Sequence, residues 1–318
     1  MVPVFEVRCP NCTKLSRNSL RELNDAVAVT CECGGTTYLS EGEWPQTLSA
    51  ANKSFPDDRI VRVPKFPIIV NSLPGRNGTH LITRFLELVG FERDHSINIS
   101  YPQMRDMIGL DPFTRIEPGT NEAEAMLRWV KPVASLRYPN YIGVHHLWNP
   151  VSADFLEKCG ARVVLVVRRP EAQVLSAIEM HLEQMSTGTA LREMTWTERI
   201  ATFLDDSNPL IGAGAPRYYD NIAKWASYPH LCVVGYEDMV GPQGGQSATR
   251  QRESCERLLA FLGLNTAGLD AALSHLYGKS ETFKRGQSER WREYEAVFNQ
   301  FPEFGAMNDV VNSVLGRS

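Results

Sequence analysis

Three things are missing from this chain. No apolar run approaches the roughly 18 residues that a membrane-spanning helix needs. Its start, MVPVFEVRCPNC, does not read as a signal peptide either. Charge of one sign is also missing: 33 Lys and Arg stand against 37 Asp and Glu, a formal net charge of −4 in 318 residues. That argues against sequence-independent nucleic-acid binding, which needs a basic surface. Any anionic ligand must be held by locally placed cations. The third absence is a complete Gly-x-x-x-x-Gly-Lys-Ser/Thr phosphate loop, together with an Asp-terminated strand for Mg²⁺. This argues against a Walker-type kinase or nucleotide hydrolase. Apolar residues make up 43 % and charged residues 22 %, which excludes a disordered chain, a coiled coil or a disulfide-rich mini-protein. The expectation is a cytoplasmic protein of one large domain, alone or with a small appendage.

Cysteine is scarce but unevenly placed. Four of seven fall within the first 33 residues: Cys9 and Cys12 in Cys-Pro-Asn-Cys, and Cys31 and Cys33 in Cys-Glu-Cys-Gly. Two close pairs about 20 residues apart match a tetrahedral zinc site, although the second pair has one intervening residue and not two. Unmetallated loops in a reducing cytosol are the alternative. A segment this short, with few large apolar residues, folds poorly without a staple, which favours zinc in a structural role. The domain reading is therefore a zinc-ribbon-like segment over residues 1–50 and a main domain over 60–318. Residues 45–64, with Pro45, Pro56 and Pro64, read as the entry between them. Cys159, Cys232 and Cys255 read as ordinary thiols.

In the main domain, short apolar runs alternate with amphipathic stretches. Strands are predicted at Phe66–Val70, Tyr141–His145, Arg162–Val167 and Leu231–Val234. Helices are predicted at Leu81–Val89, Ser152–Cys159 (capped by Ser152 and stopped by Gly160), Glu171–Met185, and over most of 247–277 and 290–315. The continuous β-branched run at 162–167 suits a strand buried on both faces of a parallel sheet. The pattern is an α/β fold with a central parallel sheet flanked by helices.

The first strand leads into Ser72-Leu73-Pro74-Gly75-Arg76-Asn77-Gly78-Thr79-His80 and then a helix. Backbone N–H groups and the positive end of a helix dipole make such a junction an anion site, and Arg76 adds a formal charge. A plain tight strand-to-helix turn is the other reading. The strongest strand ends in Arg168-Arg169-Pro170, with Ser176 six residues after the proline. Arg and Ser at that spacing can address one phosphate.

Together these segments resemble the sulfotransferases that use 3′-phosphoadenosine 5′-phosphosulfate (PAPS). Arg76, Asn77, Gly78 and Thr79 match the family's 5′-phosphosulfate loop, with Asn77 in place of the common Ser and His80 where a phosphosulfate-binding Thr stands. Arg168, Pro170 and Ser176 match its 3′-phosphate motif. Tyr236-Glu237-Asp238-Met239 is similar to a segment near the adenine. Phe283, Lys284, Arg285 and Gly286, followed by Trp291, resemble the loop that closes over the 3′-phosphate. The resemblance spans residues 66–291 and excludes the cysteine-rich head. Leu81 stands where the animal cytosolic branch stacks a Trp on adenine, so the chain is closer to divergent bacterial members.

The resemblance implies a PAPS-dependent enzyme acting on a hydroxyl or amine of a small molecule, glycan or lipid. Arg76 would stabilise the leaving group. A His at the end of the strand before Arg168 would be the general base, and the family interval selects His146. His145, His80 and a carboxylate remain alternatives. Glu237 and Asp238 are assigned no chemistry. A non-catalytic module that binds the 3′-phosphoadenosine nucleotide is the competing function. Segments 92–140 and 186–230, with Tyr101, Trp129, Tyr138, Trp196, Tyr218 and Tyr219, are expected to shape the acceptor pocket or simply to fill the core.

Overall fold

The computed structural model describes, with side chains, residues 66–72, 77–95, 109–111, 113–136, 140–183, 188–207, 214–266, 268–277 and 288–317. Near the start it describes the backbone of four strands: β1 (Val4–Arg8), β2 (Leu15–Ser19), β3 (Ala28–Thr30) and β4 (Thr36–Tyr38). β1 pairs antiparallel with β2, from Val4↔Ser19 to Arg8↔Leu15. β3 pairs antiparallel with β4, from Ala28↔Tyr38 to Thr30↔Thr36. The cysteine pairs fall in the two stretches that connect these strands, and they lie outside the described residues, as does the 45–64 entry segment.

The main sheet has five strands: β5 (Ile68–Ser72), β6 (Glu92–Arg93), β7 (Asn140–Val144), β8 (Arg162–Val167) and β9 (Leu231–Gly235). Their order is β6-β7-β5-β8-β9, and every pairing is parallel. The expected central parallel sheet is therefore present. β8 needs no alternation of polar residues because both its faces are covered. Val163, Leu165 and Val167 enter one core, and Val164 and Val166 enter the other.

Helices cover both faces. α1 (Thr79–Leu88) follows β5 and packs Leu81, Ile82, Phe85 and Leu86 against Ile68 and Val70. Ile82, Phe85 and Leu86 are fully buried, each worth on the order of 1.5–3 kcal/mol. The opposite face is covered by α2 (Asn121–Val130), α3 (Pro150–Lys158), α4 (Pro170–Gln184), α5 (Gly188–Arg192), α6 (Trp196–Leu204) and α7 (Ala215–Trp225). α8 (Tyr236–Val240), α9 (Ala248–Phe261) and α10 (Leu269–Leu276) return to the α1 side. α11 (Glu295–Phe298) and α12 (Glu303–Leu315) complete the second face.

Two local expectations change. Asn149 and not Ser152 caps α3: its Oδ1 accepts the Val151 N–H at 3.1 Å, and the helix starts one turn earlier at Pro150. Gly160 does stop that helix, at φ 67. β5 runs two residues further than its apolar letters, because Asn71 and Ser72 are buried strand residues. Among the described residues no helix is long and apolar enough to cross a membrane.

Candidate active site

Since all five strands are parallel, their C-terminal ends share one edge, the ordinary binding edge of an open α/β sheet. Ser72 ends β5, His145 follows β7, Arg168 follows β8 and Tyr236 follows β9. The predicted residues thus come from four neighbouring strands. β5 feeds α1 on one face and β8 feeds α4 on the other, so the crevice between them is a topological switch point.

Gly78 caps α1 at φ 92 with no side-chain cap. A Cβ built there would overlap the Tyr236 ring, so only glycine permits the contact. The Tyr236 ring in turn lies 4.4 Å below the Arg168 guanidinium carbon. Backbone, aromatic ring and cation are therefore layered between the α1 N-terminus and the end of β8. Arg168 Nε stands 4.0 Å from Glu237 Oε1, and Glu237 Oε1 also accepts the Arg169 N–H at 3.1 Å. Burial pushes the Glu237 carboxyl up, and the Arg168 charge opposes it. The Tyr219 hydroxyl donates to the Arg168 carbonyl at 2.9 Å. Arg169 lies over the Trp291 ring at 4.6 Å. Glu237, Tyr219 and Trp291 therefore support the two arginines from below. The sequence offers Tyr219 only as an acceptor-pocket or core aromatic, because its contact joins residues 51 apart.

Asn77 is buried, Thr79 half-buried and His80 exposed. Thr79 Oγ1 hydrogen-bonds Ser72 Oγ. Ser176, on α4, is half-buried. Arg76, Phe283, Lys284, Arg285 and Gly286 lie outside the described residues.

The two histidines separate. His146 is 3 % exposed. Its ring stands edge-on between Trp129 and Trp225, with centroids 6.2 and 5.9 Å away. Its Nε2 is 2.8 Å from Ser152 Oγ, whose proton is given to the Asn149 carbonyl at 3.0 Å. Nε2 must therefore carry the proton and donate it to Ser152. Burial lowers the His146 pKa to about 4. His145 is half-buried at the sheet edge, and its Nδ1 donates to the Ser72 carbonyl at 2.7 Å, with Ser72 Oγ at 3.2 Å. A carbonyl only accepts, so the lone pair of His145 is on Nε2. Among the described residues Nε2 has no hydrogen-bond partner. Burial holds His145 below the ordinary imidazole value, and Arg93, whose guanidinium lies along Gly143, acts in the same direction. His145 thus presents Nε2 as its acceptor nitrogen, unpartnered among the described residues.

No protein-family model and no curated protein sequence matches the chain. Solved structures do. Mouse sulfotransferase SULT7A1 complexed with PAP (3′-phosphoadenosine 5′-phosphate) superposes with a TM-score of 0.50 at 14 % identity, over 92 % of this chain and 100 % of the mouse chain. The chain has the sulfotransferase fold. Two looser matches are retinol dehydratase complexed with retinol and PAP, and the sulfotransferase domain of the Synechococcus PCC 7002 olefin synthase. The first has a TM-score of 0.40 and 15 % identity, with 88 % of each chain covered. The second has a TM-score of 0.36 and 15 % identity, with 74 % of this chain and 90 % of that chain covered.

Proposed function

We propose that the chain transfers a sulfuryl group from PAPS to a hydroxyl or amine. One observation carries the reading: His145 with Nε2 as acceptor, a helix N-terminus at Gly78 with no side-chain cap among the described residues, and Arg168 packed on Tyr236 share one sheet edge. The mouse protein of the same fold was crystallised with PAP. On this reading Arg76, Asn77, Gly78, Thr79 and His80 hold the 5′ end of the donor through backbone N–H groups and side-chain donors. Arg168 and Ser176 hold the 3′-phosphate, with Phe283, Lys284, Arg285 and Gly286 closing over it. Tyr236 orders Arg168 and the loop together.

His145, in place of His146, takes the acceptor's proton on Nε2. The acceptor oxygen or nitrogen forms its bond to sulfur as the bond from sulfur to the bridging phosphate oxygen breaks. The electron pair stays on the leaving PAP, and Arg76 balances the growing charge. Arg remains charged throughout, so it acts by hydrogen bonding and field. The His146 nitrogen committed to Ser152 is unsuited to this role, and its other nitrogen is enclosed.

The cysteine-rich head binds one structural zinc on the same reading. Support comes from sequence position: Cys9 and Cys12 fall between the residues of β1 and β2, and Cys31 and Cys33 between those of β3 and β4. Two close cysteine pairs are a usual source of four thiolates around zinc. A cytoplasmic location keeps those thiols reduced. The deciding experiment incubates the protein with labelled PAPS and a panel of phenols, alcohols, amines and glycans, followed by mass spectrometry. Sulfated product supports the reading. PAP binding without transfer to any acceptor would leave a nucleotide-binding module.

A further inference from the structure

Asn71 is a polar residue inside the central strand, flanked by Val70, and it is completely buried. A primary amide there is unfavourable unless its hydrogen bonds are met. Both sides of it are met by one residue. Nδ2 donates to the His146 carbonyl at 2.9 Å, and Oδ1 accepts the His146 N–H at 2.9 Å. In the backbone ladder Asn71 is paired with Val144, where the β5–β7 register ends. The side-chain amide, one donor and one acceptor in a plane, thus imitates a peptide group. It extends the pairing two residues past the end of the strand.

His145 is caught between these two fixed points. Val144 is held by the ladder before it, and both backbone groups of His146 are held by Asn71 after it. On the far side, the His146 ring is anchored by Ser152 and the two tryptophans. The backbone of His145 has little freedom left, which keeps its Nδ1 on the Ser72 carbonyl and its Nε2 outward. We propose that Asn71 is a positioning residue, whose amide clamps the His146 peptide and thereby aims the His145 ring. The catalytic consequence rests on the transfer reading above, whereas the clamp itself does not.

The test uses the full chain and the variants Asn71→Ala and Asn71→Asp. Alanine removes both hydrogen bonds; aspartate keeps the acceptor for the His146 N–H and loses the donor to its carbonyl. Three quantities are measured: kcat for transfer, PAP affinity by calorimetry, and the tautomer of His145 by NMR of ¹⁵N-histidine-labelled protein. A misplaced reacting group costs up to about 100-fold in rate. We therefore expect kcat to fall about 10- to 100-fold in Asn71→Ala and less in Asn71→Asp. PAP affinity should stay within about twofold, and the single Nδ1–H signature of His145 should be lost in the alanine variant. An unchanged kcat with an unchanged tautomer would overturn the proposal. So would a loss of PAP affinity as large as the loss of kcat, because Asn71 would then be supporting the whole site. If the alanine variant does not fold, the aspartate variant decides by the same criteria. Should the wild-type protein transfer no sulfuryl group, the proposed function fails, and the NMR comparison alone decides the clamp.

Discussion

Two histidines that are neighbours in the chain carry their protons on opposite nitrogens. His145 is protonated on Nδ1 and His146 on Nε2, each set by an acceptor that cannot donate back. His145→Ala should lower kcat by about 10²- to 10⁴-fold, the usual size of general-base catalysis, with PAP affinity retained in calorimetry. His146→Phe should instead lower the melting temperature and leave most of the kcat. Since burial holds His145 below the ordinary imidazole value, the acid limb of the kcat profile should fall below pH 6.5, the unperturbed value. His146 adds a stability term of definite sign. Its folded pKa of about 4 is below the ordinary 6.5, so the unfolded chain binds more protons between those values. The stabilisation is complete above about pH 6.5 and is lost as the pH falls towards 4, in total about 3 kcal/mol. Urea unfolding at pH 7 and pH 5 should show the loss, and His146→Phe should reduce it. Arg168→Ala should weaken PAP binding tenfold or more, since charge-assisted hydrogen bonds contribute about 1.5–3 kcal/mol; an unchanged Kd would overturn the phosphate assignment. The letters led to a His-His pair at a strand end. Which member is enclosed depends on Trp129 and Trp225, residues brought to the ring only by the fold.

At the level of elements, the junction between β5 and α1 is the most constrained. Gly78 combines φ 92 with a ring where its side chain would be. Gly78→Ala should cost on the order of 1–3 kcal/mol of stability from the backbone alone. It should also weaken PAP binding by displacing Tyr236, both readable by thermal unfolding with and without nucleotide. By contrast, Thr195→Ala at the capping box of α6 should cost about 1 kcal/mol and leave PAP affinity untouched. The same contrast explains what was readable in advance. β8 is a run of β-branched residues buried on both faces, and its limits, Arg162–Val167, match the letters. β6 is two residues long, too short for any periodicity, and exists because β7 offers it an edge. The letters end β5 two residues early because Asn71 and Ser72 are polar, and polar residues inside a buried strand make sense only once their distant partners, His146 and Thr79, are in place. Ser152 is a good capping residue by type, but its hydroxyl serves the Asn149 carbonyl and the His146 ring inside the helix.

For the molecule as a whole, the net charge of −4 leaves any anion site to be made by a few placed cations, and Arg168 and Arg169 follow directly on the end of β8. The head and the main domain make separable predictions. On the proposed reading, the protein as purified contains about one zinc by elemental analysis, Cys12→Ser abolishes it, and PAP affinity stays within about twofold. Strand order was the part of the architecture the letters did not hold, because order depends on which face each connection crosses. That order has a metric consequence. β5 separates β7 from β8, so the strand carrying His145 and the strand carrying Arg168 are two inter-strand steps apart, about 10 Å at 4.7–4.9 Å per step. On the proposed reading, the sheet is a fixed gauge between proton acceptor and phosphate anchor. Loops can be rebuilt to admit a new acceptor, but a donor longer or shorter than the gauge would reach one end of the site and miss the other.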